Sequence, residues 1–378
     1  MNVKSSSHTD NRIHSIQALR GFAALSVLFF HIMLMEKKWG TGNLILPNLF
    51  HIGASGVDLF FVISGFIMVI VTRGRFQKRG TVVTFLYNRI SRIYPLYWFY
   101  SFILLCVFIF RPQLINPTMG NQVNLLESFL LLPQKILPLL MVGWPLVHEM
   151  YFYLIFAFIL MAPEKHLTRF LFCWGMFVII GFTALDLCDI INKNAYLMII
   201  FHPLTLEFIL GCCIACLVDK GTVKLGFFFF STGVLILALI SLMYYHDQSI
   251  PIYDKWARIL FFGFPYSLIV YGSATIENSR KKIKSNHVMV ASIYSFLRKT
   301  GDQSYSIYLS HTLVINGIGL IWMTFFMTMD KTTHILWIAV MLVSSVITGH
   351  ISFTFLETPI VKLAKKYSAV FLKQTDTN

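Results

Sequence analysis

The sequence predicts an all-α, polytopic membrane protein with about ten transmembrane helices and no separate soluble domain. Three observations predict it. Of 378 residues, 56% are hydrophobic and only 13% are charged, which is more apolar surface than a soluble domain of this size needs. The apolar residues gather into windows as long as a helix must be to cross a bilayer, about 17–25 residues. Lys and Arg concentrate on alternate connections between those windows, as the positive-inside rule requires.

The elements follow in order. The opening residues are polar, and the run that follows, residues 16–35 (IQALRGFAALSVLFFHIMLM), is too long for a signal-peptide core. It reads as a retained first span. The second, residues 52–72, contains GVDLFFVISGF, and the third, residues 94–110, follows the basic stretch NRISRIYPLYW. The fourth, residues 142–162, opens on WPLVHEMYFY. The fifth and sixth, residues 170–187 and 200–218, are apolar runs split by a polar patch. The seventh and eighth cover residues 225–245 and 256–274. The ninth, residues 304–327, carries SYSIYLSHTLV, and the tenth, residues 335–355, runs into FLETP. Residues 111–141 and 273–303 form the longest polar gaps. Three segments result: a cytoplasmic N-terminal stretch 1–15, a transmembrane domain 16–357 and a basic cytoplasmic tail 358–378.

Charge gives orientation. The side holding the N-terminus collects Lys4, Arg12, Arg20, Arg73, Arg75, Lys78, Arg79, Arg89, Arg92, Lys165, Arg169, Lys220 and Lys224. It also takes Arg280, Lys281, Lys282, Lys284, Arg298, Lys299, Lys362, Lys365, Lys366 and Lys373. That is 23 of the 31 Lys and Arg residues, so both termini are expected in the cytoplasm. The net charge of +14 then reflects topology and contact with anionic lipid. No nucleic-acid motif accompanies it. The six cysteines lie in or beside apolar spans and suggest no disulfide framework. The Cys212-Cys213-x-x-Cys216 cluster has no partner cluster and reads as packing, so no metal is expected.

Ionisable side chains are costly in hydrocarbon, so those inside spans mark candidate sites. Arg20 and His31 share the first span. Eleven residues turn a helix by about 1,100°, three turns plus roughly 20°, so both lie on one face about 16 Å apart. Toward the cytoplasm lie Arg20, Arg89 and Arg92, the last two sharing a face if helical. Permanently charged, bidentate arginines suit a phosphate-bearing ligand. Toward the outside lie His31, Asp58, His148 and Glu149. A neutral histidine can take a proton from a hydroxyl, with Asp58 or Glu149 as candidate orienting carboxylate. His311 sits mid-depth and Glu357 at the inner end of the last span. Plainer readings stand beside these. Arg20 can snorkel to the interface, Arg89 and Arg92 can anchor topology, His31 can be a hydrogen-bonded packing residue and Asp58 can cap its helix. Tyr94, Tyr97 and Trp98 read as an interfacial aromatic belt.

These residues resemble the acyltransferase-3 family of integral membrane enzymes that O-acylate bacterial surface glycans. The likeness is carried by Arg20–x10–His31, GVDLFFVISGF, RISRIYPLYW at residues 89–98, WPLVHEMYFY, SYSIYLSHTLV and FLETP, six motifs in order over nearly the whole chain. The resemblance implies a multi-pass protein of the bacterial inner membrane. It implies cytoplasmic acyl-CoA, usually acetyl-CoA, as donor and a surface or lipid-linked glycan hydroxyl as acceptor. By it His31 acts at the reacting centre with Arg20 close to the donor, Arg89 and Arg92 hold CoA phosphates, and Glu149 orients the base or acceptor. Asp58, His311 and Glu357 match motif positions without an assigned role. Direct transfer and an acyl-histidine intermediate both stay open. Some members carry an extra hydrolase-like domain. The chain ends at Asn378, so direct transfer, an oligomer or a separate partner acyltransferase is expected instead. A glycan-lipid transporter and an acyl-CoA sensor are the competing classes.

Overall fold

A computed structural model describes residues 13–39, 44–220, 225–280, 288–325 and 331–375. The expected N-terminal stretch 1–15 and the basic run 280–284 lie largely outside these residues. The helices are α1 (His14–Trp39), α2 (Gly56–Thr72), α3 (Thr81–Phe110), α4 (Leu125–Leu130), α5 (Trp144–Ile159), α6 (Leu167–Leu187), α7 (Ala195–Ile200), α8 (Leu204–Lys220), α9 (Gly226–His246), α10 (Lys255–Arg258), α11 (Phe264–Arg280), α12 (Val288–Asp302), α13 (Ser304–Phe325), α14 (Lys331–Ser352) and α15 (Thr358–Thr375). Among the described residues, 9 helical stretches are long and apolar enough to cross a membrane. The ninth expected span is helical as α13, of 22 residues, but stands outside that set. It carries Ser304, Ser306, Ser310 and His311, which are buried rather than turned to lipid, and Asn316, which is exposed.

Lipid gives no hydrophobic drive between helices, so close backbone approach does the packing. Two crossings fix the bundle around α1 and α2. At Gly301 an added Cβ would lie 1.8 Å from the Gln17 carbonyl oxygen, and at Gly21 it would lie 2.1 Å from that of Leu297. Amphipathic α12 is thereby pressed against the N-terminal half of α1. At Gly65 and Gly211 added Cβ atoms would lie 1.9 and 2.0 Å from carbonyl oxygens of the facing helix, which locks α2 to α8. Cys212, beside that crossing, is buried and donates its thiol to the Gly65 carbonyl at 3.3 Å. The cysteine cluster packs, as its isolation suggested.

Two expectations change. The third span starts earlier: α3 runs for 30 residues with Pro95 inside it, so Arg89 and Arg92 sit on a continuous helix and share a face. Pro95 lacks the N–H that would close its helical turn, yet the helix continues through it. The second change concerns residues 111–141, read as an outer polar gap. This segment folds back into the bundle, where Leu131, Leu139 and Leu140 are buried. Tyr94 donates to Leu130 O at 2.8 Å, Tyr97 to Ser128 O at 2.7 Å and Trp98 Nε1 to Phe129 O at 2.8 Å. Tyr94, Tyr97 and Trp98 thus tie α3 to this segment. They donate to carbonyls in the last turn of the short helix α4, whose backbone the bilayer itself could not hydrate.

Beyond residue 357 the expected basic tail is the helix α15, which packs along α3. At the opposite end of α1, buried Glu36 accepts the backbone N–H groups of Ile45 and Leu46. It also lies 3.2 Å from His334 Nε2 at the start of α14.

Candidate active site

The three candidate arginines converge. Arg20 on α1 and Arg89 and Arg92 on α3 line a cleft of about 820 Å³, walled on its far side by Lys362 and Lys365 of α15. The same three arginines line a smaller chamber of about 100 Å³ deeper in the bundle. Like charges packed this closely repel in a low-dielectric site, so a cluster of this kind is built to receive an anion. Only part of the charge is met by protein. Arg20 donates to Gln17 Oε1 at 3.3 Å, and the Arg89 guanidinium stacks 5.5 Å from the ring centres of Phe85 and Tyr153. Arg89 Nε and Ser304 Oγ, both on the chamber wall, are buried without a hydrogen-bond partner. Unmet donors beside clustered guanidinium groups fit a polyanion with a polar chain behind it.

Glu149 lines this chamber. It accepts a hydrogen bond from Tyr153, one helical turn along α5, and another from Ser64 of α2 at 3.3 Å. The carboxylate is thus fixed in direction. Glu357, which ends the π-helical turn Phe353–Glu357, lines the wider cleft and accepts from Ser306 at 2.6 Å. It stands between the cleft and α13 and shares the electrostatic environment of Arg20.

His31 is elsewhere. It lies in the C-terminal half of α1, but among the residues lining the described chamber it does not appear. Its partner is also not a carboxylate. His31 Nδ1 is 2.9 Å from Val27 O and 3.2 Å from His311 Nε2, with the two ring centres 4.8 Å apart. The expected orienting carboxylates, Asp58 and Glu149, are bonded to other groups. The hydrogen-bond pattern assigns the tautomers. His311 Nδ1 is 3.1 Å from Ile307 O, an acceptor only, so that nitrogen carries the hydrogen. In neutral rings His311 Nε2 is then an acceptor. His31 Nδ1–H donates to it and to Val27 O together. The remaining nitrogen of His31, Nε2, is left with its lone pair unspent. Tyr308 joins the two regions: it lies on the chamber wall, and its ring centre is 5.8 Å from that of His311, one turn further along α13.

Asp58 is wholly buried in a bidentate ion pair with Arg258, with Nη2–Oδ2 at 2.9 Å. It is neither a partner of His31 nor part of the chamber lining among the described residues. Sequence reasoning missed Tyr153, Ser64, Tyr308 and Arg258. Tyr153 had a signal, because a tyrosine four residues after Glu149 shares its helix face. Arg258 lies at the start of the eighth expected span, and nothing local joins it to a carboxylate 200 residues earlier.

A model of the acyltransferase domain of acyltransferase-3 proteins matches residues 13–352. The chain belongs to the acyltransferase-3 family. This acyltransferase-3 protein is therefore an enzyme of the acyltransferase class, and its apolar helices make it a multi-pass membrane protein. It is similar to the exopolysaccharide production protein ExoZ of Rhizobium meliloti (strain 1021), 30% identical over 71% of this chain and 78% of that protein. It is also similar to a Staphylococcus aureus (strain COL) protein provisionally named an O-acetyltransferase, 23% identical over 93% of this chain and 57% of that one. Acyltransferase MdmB of Streptomyces mycarofaciens is 34% identical over 38% of each chain. The chain thus spans just over half the length of the staphylococcal relative. No solved structure matches the acyltransferase-3 chain.

Proposed function

We propose that the protein is an O-acyltransferase of the bacterial inner membrane that moves an acetyl group from cytoplasmic acetyl-CoA to a hydroxyl of a surface or lipid-linked glycan. The observation that carries this reading is the pairing of a basic cleft at one end of α1 with a histidine of unspent Nε2 toward the other. With both termini cytoplasmic, Arg20, Arg89 and Arg92 face the compartment where CoA is made. Their guanidinium groups would hold its phosphates, and the phosphates need not enter hydrocarbon. The narrow chamber beyond them suits the slimmer thioester arm rather than the nucleotide. The exopolysaccharide and O-acetyltransferase names of the relatives support a glycan hydroxyl as acceptor.

The hydrogen-bond assignment favours direct transfer. His31 Nε2 would take the acceptor's hydroxyl proton as the oxygen attacks the thioester carbonyl. The resulting imidazolium charge is stabilised by the Nδ1–H bond to His311, which here takes the orienting role usually given to a carboxylate. The tetrahedral intermediate then expels the CoA sulfur. Nε2–H protonates the departing thiolate, the ester forms and His31 returns to its starting state. Glu149, held by Tyr153 and Ser64, would position the donor chain or acceptor close to that path. The test is turnover by purified protein supplied with acetyl-CoA and a glycan acceptor. Free CoA should appear together with an acetyl ester on the glycan. Glycan binding without CoA release would replace this reading with a transporter.

A further inference from the structure

Asp58 and Arg258 belong to a second group of ionisable side chains, which packs against a different face of α5 from Glu149 and has no part in the transfer steps. Asp58, in the first turn of α2, uses both carboxylate oxygens on Arg258. The same guanidinium lies 5.6 Å from the ring centres of Trp144 and Tyr253. Glu207, in the first turn of α8, is wholly buried (0% exposed). Neither of its carboxyl oxygens receives a hydrogen bond from a protein donor, and the group faces the Asp58–Arg258 pair electrostatically. It cannot retreat. It is wedged against Gly263, in the π-helical turn Ile259–Gly263 that follows Arg258, where an added Cβ would meet Glu207 Cγ at 2.9 Å.

Among the described residues, the surrounding elements offer no second cation. On α5, His148 has a buried Nδ1 without a partner, and its ring lies 4.7 Å from that of His202. His202, just before α8, accepts the Leu204 N–H on Nδ1 at 3.1 Å. On α11, Tyr266 is bonded to Ser55 at 2.8 Å. Lys255 on α10 is turned toward Asn192 at 3.1 Å and Asp186 at 3.8 Å. Among the described residues, Arg258 is the guanidinium paired with Asp58 and close enough to act electrostatically on Glu207.

Two ionised carboxylates are both acceptors and cannot hydrogen-bond each other. An unpaired carboxylate within a membrane bundle is also strongly disfavoured. Paired acids resolve this by holding one proton between them. Because Asp58 already spends both oxygens on a guanidinium, the charge belongs on Asp58 and the proton on Glu207. We infer that Glu207 and Asp58 form a proton-binding site, in which Glu207 donates a bound proton to Asp58 and ties α8, α2 and the π-helical turn together behind α5. The three groups then sum to zero charge. At high pH the proton leaves, a second negative charge appears beside Asp58, and the elements backing α5 separate. Transfer should fall with it because α5 carries Glu149. The activity arm of the test rests on the proposed function, whereas the spectroscopic and stability arms do not.

The experiment is infrared spectroscopy of the full-length protein in detergent, with isotope-labelled glutamate, combined with thermal unfolding at neutral and alkaline pH. A protonated-carboxyl band should be present at neutral pH, shift with the glutamate label and vanish in Glu207→Gln. That variant keeps a neutral donor toward Asp58, so it should insert normally and lose the wild type's alkaline drop in melting temperature. Absence of a glutamate-sensitive band from the wild type would overturn the inference, whether or not the variant can be purified. So would persistence of the band, or of the full alkaline drop, in Glu207→Gln. A shared loss of acetyl-CoA turnover in wild type and variant, with the band and the stability change as expected, would count against the proposed function and not against this site.

Discussion

The His31–His311 contact makes a prediction that sequence neighbours alone would not. In His311→Phe the ring volume is roughly kept, but the acceptor 3.2 Å from His31 Nδ1 is removed. In the resting enzyme that bond is between neutral rings, worth about 0.5–1.5 kcal/mol. In the transition state the donor is an imidazolium, and hydrogen bonds to charged groups are worth about 1.5–3 kcal/mol. The difference, about 1–1.5 kcal/mol at the middle of these ranges, is the part that slows chemistry alone. Loss of the enforced tautomer adds to it, because Val27 O is then the remaining acceptor at Nδ1. With each 1.36 kcal/mol worth tenfold, kcat should fall about 10- to 100-fold. The KM for acetyl-CoA should hardly change, since His311 does not line the arginine cleft. His311→Gln, whose side-chain oxygen can accept from Nδ1–H, should recover part of the rate. The assay is steady-state CoA release by purified variants that elute and melt like wild type. A His311→Phe enzyme with wild-type kcat, or one that loses only donor affinity, would refute the relay.

Arg89→Ala and Arg92→Ala should each raise the KM for acetyl-CoA about tenfold or more, since a charge-assisted bond to phosphate is worth about 1.5–3 kcal/mol. The effect should lessen as salt screens the remaining charges; unchanged KM would return these residues to topology anchors. Asp58→Asn breaks a buried ion pair and strands Arg258, a loss of about 3–5 kcal/mol, so it should lower yield and melting temperature rather than selectively reduce kcat. Orientation can be read by cysteine labelling in intact cells. Lys37→Cys, at the His31 end of α1, should react with an impermeant reagent, and Arg75→Cys, after α2, should not. The reverse pattern would invert the proposed topology.

The features legible in the sequence are those that depend on neighbours along one helix. Arg20 and His31 lie on one span because a buried charge is conspicuous in an apolar run. Arg89 and Arg92 share a face because their spacing fixes it once the segment is helical. Glu149 could not be dismissed, since a carboxylate within a span needs partners, and Tyr153 and Ser64 are those partners. The features that stayed hidden depend on contacts across the bundle. His311 is 280 residues from His31, and either histidine alone is compatible with ordinary packing. Asp58 looked like a catalytic carboxylate because its position in α2 was visible and Arg258 was not visibly near it. Residues 111–141 looked like an outer loop because their composition is polar and broken. Their carbonyls are instead satisfied by Tyr94, Tyr97 and Trp98 from another helix, an arrangement no local pattern encodes.

The central claim is that His31 moves the proton that lets a glycan hydroxyl take the acetyl group. It is tested most directly by mass spectrometry of surface polysaccharide from cells expressing the wild type or His31→Ala, with membrane insertion of both verified. Wild-type cells should carry acetyl esters that cells without the protein lack, and His31→Ala, deprived of a base worth about 10²–10⁴-fold in rate, should lose them. Equal acetylation with wild type and a well-inserted His31→Ala variant would contradict it.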